Sequence, residues 1–379
     1  MPLELTQENL LTYLFSIHNL TQKVDTSQLL SLFDLTGFRI TSKESLAIAL
    51  NARMKNITAK QIENLFSEGK LISVFNLGFK VRALCSSLWH KSNASLQFNS
   101  DDELDFLLKD YHPYFKAIAL TTPELLELVI EIVADAPFLE KEKLIEHCAQ
   151  RLLEEVDDKI KEILSWPVNT QNGSTLAFKI VESLIPIASL YRPVFALYEN
   201  QIKPKEKKEG SLFEDYLKGC GFGNYLKFAS FAKISDEQAF RIYKEADKGQ
   251  FLEVLLDNRS GYTTETLLNS LTNSKTLEGL RLIANEDPLI ELAKEYLPIH
   301  GKKLYNYLFK GENRPSLLFY DGQLVGTWRS EIGLKSWSIV IEDLKLNLQR
   351  VSTIEIEREV EQLEISFGKK CSTIRKVEL

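Results

Sequence analysis

The sequence predicts a mainly α (α+β) chain in which three tandem winged-helix units precede a C-terminal β-barrel-like unit. Three observations predict it. Several segments open on a Ser or Thr with a Glu or Gln three residues later, the pattern that satisfies the free amides of a helix start; Thr41/Glu44, Thr58/Gln61, Ser100/Glu103 and Ser235/Gln238 are such pairs. Three stretches repeat one order, short helices and then an extended segment or pair, which is the winged-helix plan. Beyond Arg281 the helical pattern yields to short β-rich runs separated by turn residues.

The elements follow in order. Residues 1–120 hold N-terminal helices and the first winged helix, with helices at Ser27–Leu35, Ser42–Met54 and Ala59–Ser67. Its wing is Lys70–Phe75, a turn at Asn76-Leu77-Gly78, and Phe79–Leu84. Residues 121–202 form the second unit, opened by Thr122-Pro123 as a cap followed by a first-turn proline. Its helices are Glu124–Ala134, Lys141–Leu153 and Leu176–Leu184, and its extended run is Pro193–Tyr198. Residues 203–280 begin with a lysine-rich linker, Lys203–Gly210, and continue as Leu212–Lys218, Tyr225–Ala232, Asp236–Asp247 and the hairpin around Asp257–Gly261. Residues 281–379 carry a helix at Leu289–Tyr296, strands at Ser316–Tyr320, Leu324–Arg329 and Trp337–Ile341, and an acidic helix at Thr353–Phe367.

Composition narrows the function classes. Hydrophobic residues make up 44% and charged residues 26% of 379 positions, as in ordinary globular chains of two or three domains. No apolar run approaches the roughly 18 residues of a membrane span. The N-terminal Met1-Pro2-Leu3-Glu4 has no basic segment ahead of an apolar core, so a cytoplasmic protein is expected. Four scattered cysteines and five scattered histidines show no metal-ligand spacing, so neither metal nor cofactor is expected. Gly219-Cys220-Gly221-Phe222-Gly223 follows a helix and lacks the Lys-Ser/Thr ending of a phosphate cradle. A net charge of −7 argues against nonspecific nucleic-acid binding but leaves room for a local basic surface.

The most specific segment is Tyr320-Asp321-Gly322-Gln323-Leu324-Val325-Gly326-Thr327-Trp328-Arg329. Asp321-Gly322 between β-rich runs reads as a tight hairpin turn, and Gly326 as a site of close backbone approach. This segment closely resembles one in the C-terminal barrel of the AlkZ/YcaQ-like alkylpurine DNA glycosylases, a bacterial family of tandem winged-helix proteins. Weaker echoes are Tyr225–Tyr262, Leu282–Pro288 and Ala136–Leu144, so the resemblance spans nearly the whole chain. It implies double-stranded DNA, damaged in a purine, as partner, a monomer, and hydrolysis of an N-glycosidic bond as the reaction.

In that family the catalytic signature is Gly-Leu-Gln-x-Gln, or Gln-x-Asp, in the first unit. The matching stretch here is Gly37-Phe38-Arg39-Ile40-Thr41, so both polar positions are changed. The chemistry needs an oxygen that accepts a hydrogen bond or a proton from the attacking water. Arginine has donors only and stays cationic, which opposes a positive sugar centre. Thr41 can orient a water, but a cap paired with Glu44 is a sufficient structural role for it. Glu44 can stand in as the base, and Arg39 can hold a phosphate. The catalytic candidates are therefore Arg39, Thr41 and Glu44. A wing motif, Met-Arg-Gly-Thr-x-His in the family, reads Asn76-Leu77-Gly78-Phe79-Lys80-Val81 and loses the Arg and His.

The DNA-binding candidates are Arg39, Lys43, Lys80, Arg82, Trp328 and Arg329. Each has a structural alternative: Lys80 and Arg82 on the solvated face of an edge hairpin, Trp328 as a core plug, Arg329 paired to an acid. Two readings stay open, a DNA-binding glycosylase-like protein and a protein-interaction scaffold that has lost DNA. A transcription regulator ranks lower, because Asp236–Asp247 offers only Arg241 and Lys244 as a recognition helix.

Overall fold

The structure is a computed structural model that describes residues 3–25, 30, 33, 35–116, 118, 120–136, 139, 141–169, 174–194, 210–299, 301–311 and 313–378. With 51% of the described residues helical and 20% in strands, the structure is mixed α and β. It divides into two compact units, Met1–Glu68 with Phe213–Asn224 and Asp247–Leu379, and Gly69–Leu212 with Tyr225–Ala246. Most of the helix expected over 27–35, of the strand over 193–198 and of the linker over 203–210 lies outside the described residues.

The first unit is organised by a five-stranded sheet in the order Lys370–Glu378, Ser336–Asp343, Gln323–Ile332, Ser316–Tyr320, Leu280–Ile283. Its first pair is parallel and the rest antiparallel. Among the described residues no closed barrel is found: the last strand returns parallel to Ser336–Asp343 and does not pair with Leu280–Ile283. Helix Thr353–Phe367 makes that return, capped by Ser352 with Glu355 at one end and by Gly368 at φ 64° at the other. It packs on helices Lys43–Asn51 and Ala59–Ser67, and Ser366 Oγ donates to the Ile57 carbonyl at 2.9 Å. A second sheet places Leu3–Leu5 parallel to Phe251–Leu256, which pairs with Arg259–Thr264.

The Asp-Gly turn forms as the sequence predicts. Asp321 at φ 48° and Gly322 at φ 77° join Ser316–Tyr320 to Gln323–Ile332, the two left-handed residues of a type I′ hairpin. Gly326 is also where backbones approach: a Cβ there would sit 2.7 Å from the Glu342 carbonyl oxygen.

The second unit is mainly helical. Its largest helices, Thr122–Asp135, Lys141–Glu155 and Leu176–Ala188, share a core of Leu125, Val129, Ile145, Cys148, Leu152, Ile180 and Leu184. The cap of the first is Thr121, paired with Glu124, one residue earlier than Thr122-Pro123 suggests, so proline occupies the second helical position. Hairpin Ile72–Asn76 and Lys80–Leu84 turns through Leu77–Phe79, with Gly78 at φ 68° and 3.0 Å available to a Cβ before the Phe231 carbonyl. Among the described residues no helix is long and apolar enough to cross a membrane.

Candidate functional site

Gly37, at φ 66°, turns the chain into the short strand Phe38–Arg39, and alternation then sorts the side chains. Phe38 and Ile40 are each 2% exposed. Arg39 and Thr41 face the other way and meet one carboxylate. Arg39 Nη2 lies 3.1 Å from Glu286 Oε1, and Thr41 Oγ1 donates to Glu286 Oε2 at 3.0 Å. The Arg39 side chain is 24% exposed and that of Glu286 14%, while Thr41 is exposed, so the cluster opens to solvent.

Glu286 is held from both flanks. Before it, Asn285 donates its amide to Ser316 Oγ at 3.2 Å and its Nδ2 to the Arg314 carbonyl at 2.9 Å. After it, Asp287 takes a bidentate pair from Arg53, at 2.6 and 2.7 Å, with both side chains fully buried. Asp287 also caps helix Pro288–Ala293 through the Leu289 amide. Arg53 is itself fixed: it donates to the His18 and Ala49 carbonyls and lies 5.0 Å from the centroid of the Phe38 ring. One buried arginine thus ties the turn carrying Glu286 to the strand carrying Arg39 and to the end of the helix that follows Thr41. A paired buried charge of this kind adds little net stability, but it fixes geometry because leaving either partner alone is costly.

His18 belongs to the same frame. Its ring nitrogen lies 2.8 Å from the Gly219 carbonyl, and burial, reinforced by Arg53 and opposed by Asp287 and that carbonyl, pushes the imidazole down to about 4.

The structure relocates several expected roles. Thr41 is not the cap paired with Glu44: Ser42 caps helix Lys43–Asn51 in a reciprocal box with Ser45, whose hydroxyl also takes the Thr41 amide. Thr41 is thereby released to meet Glu286. Glu44 lies in the first helical turn with Lys369 Nζ 3.8 Å away, and Lys43, at the helix start, is exposed. Arg82 does not lie on a solvated hairpin face. It is fully buried, donates Nε to the Leu77 carbonyl at 2.9 Å and sits 5.4 Å from the Phe231 ring, so it fixes the hairpin turn and cannot reach a phosphate as placed. Lys80, at the start of the same strand, is half-buried.

Trp328 is 1% exposed, a core residue opposite Ile341, and so offers no surface to a base or phosphate. Arg329 lies 3.1 Å from Glu342 Oε1 and donates to the Asn313 carbonyl at 2.6 Å. Thr327 and Tyr307 donate to Glu342 Oε2, each at 2.6 Å. Burial alone would raise the Glu342 carboxyl, but these three donors outweigh it and hold the group below its usual range.

Sequence reading missed Glu286. The segment Leu282–Pro288 stood out, but only as a family echo. The available signal was a Glu-Asp-Pro turn, an acid placed just ahead of a capping Asp. Chemically, the cluster is a carboxylate with two donors on about four lone-pair positions, beside a hydroxyl that still accepts. It can hold a water. Among the described residues no group of three or more His, Cys, Asp or Glu could hold a metal ion.

The fold is shared with the DNA glycosylase AlkZ of Streptomyces sahachiroi, at a TM-score of 0.72 and 14% identity, covering 99% of this chain and 100% of that one. No curated protein sequence matches. The family model described as DNA glycosylase AlkZ-like matches residues 32–364, which span the Arg39–Thr41 segment, Glu286 and the Asp321–Arg329 hairpin. The chain therefore belongs to the AlkZ-like DNA glycosylase family.

Proposed function

We infer that this protein binds duplex DNA and recognises a damaged purine in it, as a glycosylase-like repair protein. The observation that carries the reading is the family match over residues 32–364. In this reading the triplet-and-hairpin segments serve as winged-helix units, and Lys43 and Lys80 are the basic side chains that meet the phosphate backbone. Arg39 serves the site rather than a phosphate, because its guanidinium already faces Glu286.

One observation favours the second reading, a protein-interaction scaffold. Arg82 and Arg329 are engaged internally and Trp328 is buried, which removes three of the six DNA-binding candidates from a chain of net charge −7. Fluorescence anisotropy with duplex DNA, with and without an alkylated purine, at two salt concentrations separates the two. DNA binding predicts affinity that falls as salt rises, through counterion release, and tighter binding to the lesion. No binding at low salt would leave the scaffold reading.

A further inference from the structure

Arg39 has no acceptor and Thr41 only a hydroxyl, which is a poor base, and the Glu286 carboxylate lies against both. We propose that Glu286 is the catalytic carboxylate of a base-excision site: it takes the proton of the attacking water, Thr41 holds the same water, and Arg39 is a positioning residue that orients the carboxylate. This rests on the reading of the protein as a binder of damaged purines.

Three observations support it. First, Glu286 reaches both altered positions at once, with Arg39 on one oxygen at 3.1 Å and Thr41 on the other at 3.0 Å. The objection that an arginine repels a positive sugar centre loses its force, because the guanidinium and the carboxylate form a neutral pair. Second, the turn is preorganised. Asn285 is bound to Ser316 and Arg314, and Asp287 to the buried Arg53, so Glu286 needs no reorganisation to stay in place. Third, the cluster is accessible: Thr41 is exposed and the Glu286 side chain is 14% exposed, so a water and a sugar can approach.

The reaction balances without a co-reactant. The water oxygen forms a bond to C1′ of the deoxyribose as the bond from C1′ to the purine nitrogen breaks. The electron pair of that bond leaves with the base, and the water's proton passes to Glu286 and then to solvent. The products are the free base and an abasic deoxyribose. No acid is provided for the leaving group, which selects the substrate class. A purine alkylated on a ring nitrogen already carries positive charge and departs neutral, so it needs no protonation. An unmodified purine does, and should be inert here.

The test uses the full-length protein and a duplex carrying one N7-methylguanine, with affinity read by anisotropy and base release by single-turnover assay. Wild type is expected to bind and release the base. Glu286→Gln should lower the release rate on the order of 100-fold with affinity within about twofold, the scale of one lost general base. Formate should restore part of the rate to Glu286→Ala, which a purely structural role would not allow. Arg39→Met should lower the release rate at unchanged affinity and thermal midpoint, with Arg39→Lys recovering part of it. Binding of the lesion without release by wild type, or an unchanged rate in Glu286→Gln, overturns the assignment while leaving DNA recognition intact. Absence of binding to any duplex overturns the recognition reading itself, and the catalytic assignment with it.

Discussion

Two places in this molecule use the same parts. In each, an arginine and a threonine two residues apart in the sequence share a single glutamate: Arg39 and Thr41 with Glu286, Arg329 and Thr327 with Glu342. The difference lies in saturation and access. Glu342 also takes Tyr307, and Thr327 is fully buried. Glu286 has only its two donors among the described residues, and its threonine is exposed. A carboxylate with three donors in a protein interior holds a sheet together. A carboxylate with positions left over at a surface can handle a water. Residue type does not separate the two; the number of donors and the exposure of the hydroxyl do.

The sharpest way to probe the comparison is to attack what holds each glutamate in place. Asp287→Ala leaves Arg53 as a lone charge at a site with no exposure, and should cost about 4 kcal/mol in urea denaturation. Glu342→Ala strips the acceptor from Thr327 and Tyr307 and from the Arg329 guanidinium. A loss of about 3 kcal/mol is expected. If the Glu342 variant proves as stable as wild type, the two clusters do not differ in the way described.

The sequence speaks clearly where structure is local. Asp321-Gly322 announces a turn because two adjacent residues must take positive φ, and Gly326 announces close approach because a side chain would meet Glu342. Thr58 and Gln61 form the box their spacing implies. The cap at Thr41 is misread for a local reason too: Ser42 and Ser45 offer a competing box one residue on, and a serine at the third position can close it as a glutamate would. The pairing of Thr41 with Glu286, across 245 positions, is invisible to any periodicity. So is the burial of Arg82, whose residue type argues for the surface while its position beside a turn argues for a carbonyl partner. The parallel return of Lys370–Glu378 escapes notice because it depends on a helix crossover, not on a hairpin signal.

Acid should loosen the two regions at different pH. His18, in the frame beneath Glu286, is held to about 4 when folded, chiefly by burial, with Arg53 and Asp287 the charged groups against it. Its unfolded value is about 6.5. The unfolded chain therefore binds the extra proton between these values, so the contribution is fully present above the upper value and is lost as pH falls toward the lower one. Between pH 8 and pH 5 the loss should be about 2 kcal/mol. Glu342, held below its usual carboxylate range, keeps its contribution through that window and loses it only in stronger acid. Denaturation of wild type beside His18→Gln reads the difference: the variant should be nearly flat across the window, and a wild-type slope that persists in the variant would place the titrating group elsewhere.

The smallest stability effect carries the most information. Glu286→Gln keeps an oxygen acceptor and the shape of the side chain, and the pair it weakens is partly solvated. Its cost should stay below about 1 kcal/mol, against the larger loss at Glu342. Equal losses at the two positions would mean that Glu286 is a structural clamp, and Thr41 and Arg39 merely its partners. A small loss in stability alongside a large loss in base release would separate holding from chemistry at a single atom, since amide and carboxylate both accept a hydrogen bond but only the carboxylate takes the proton. The two glutamates would then differ in function although they share donors of the same kind.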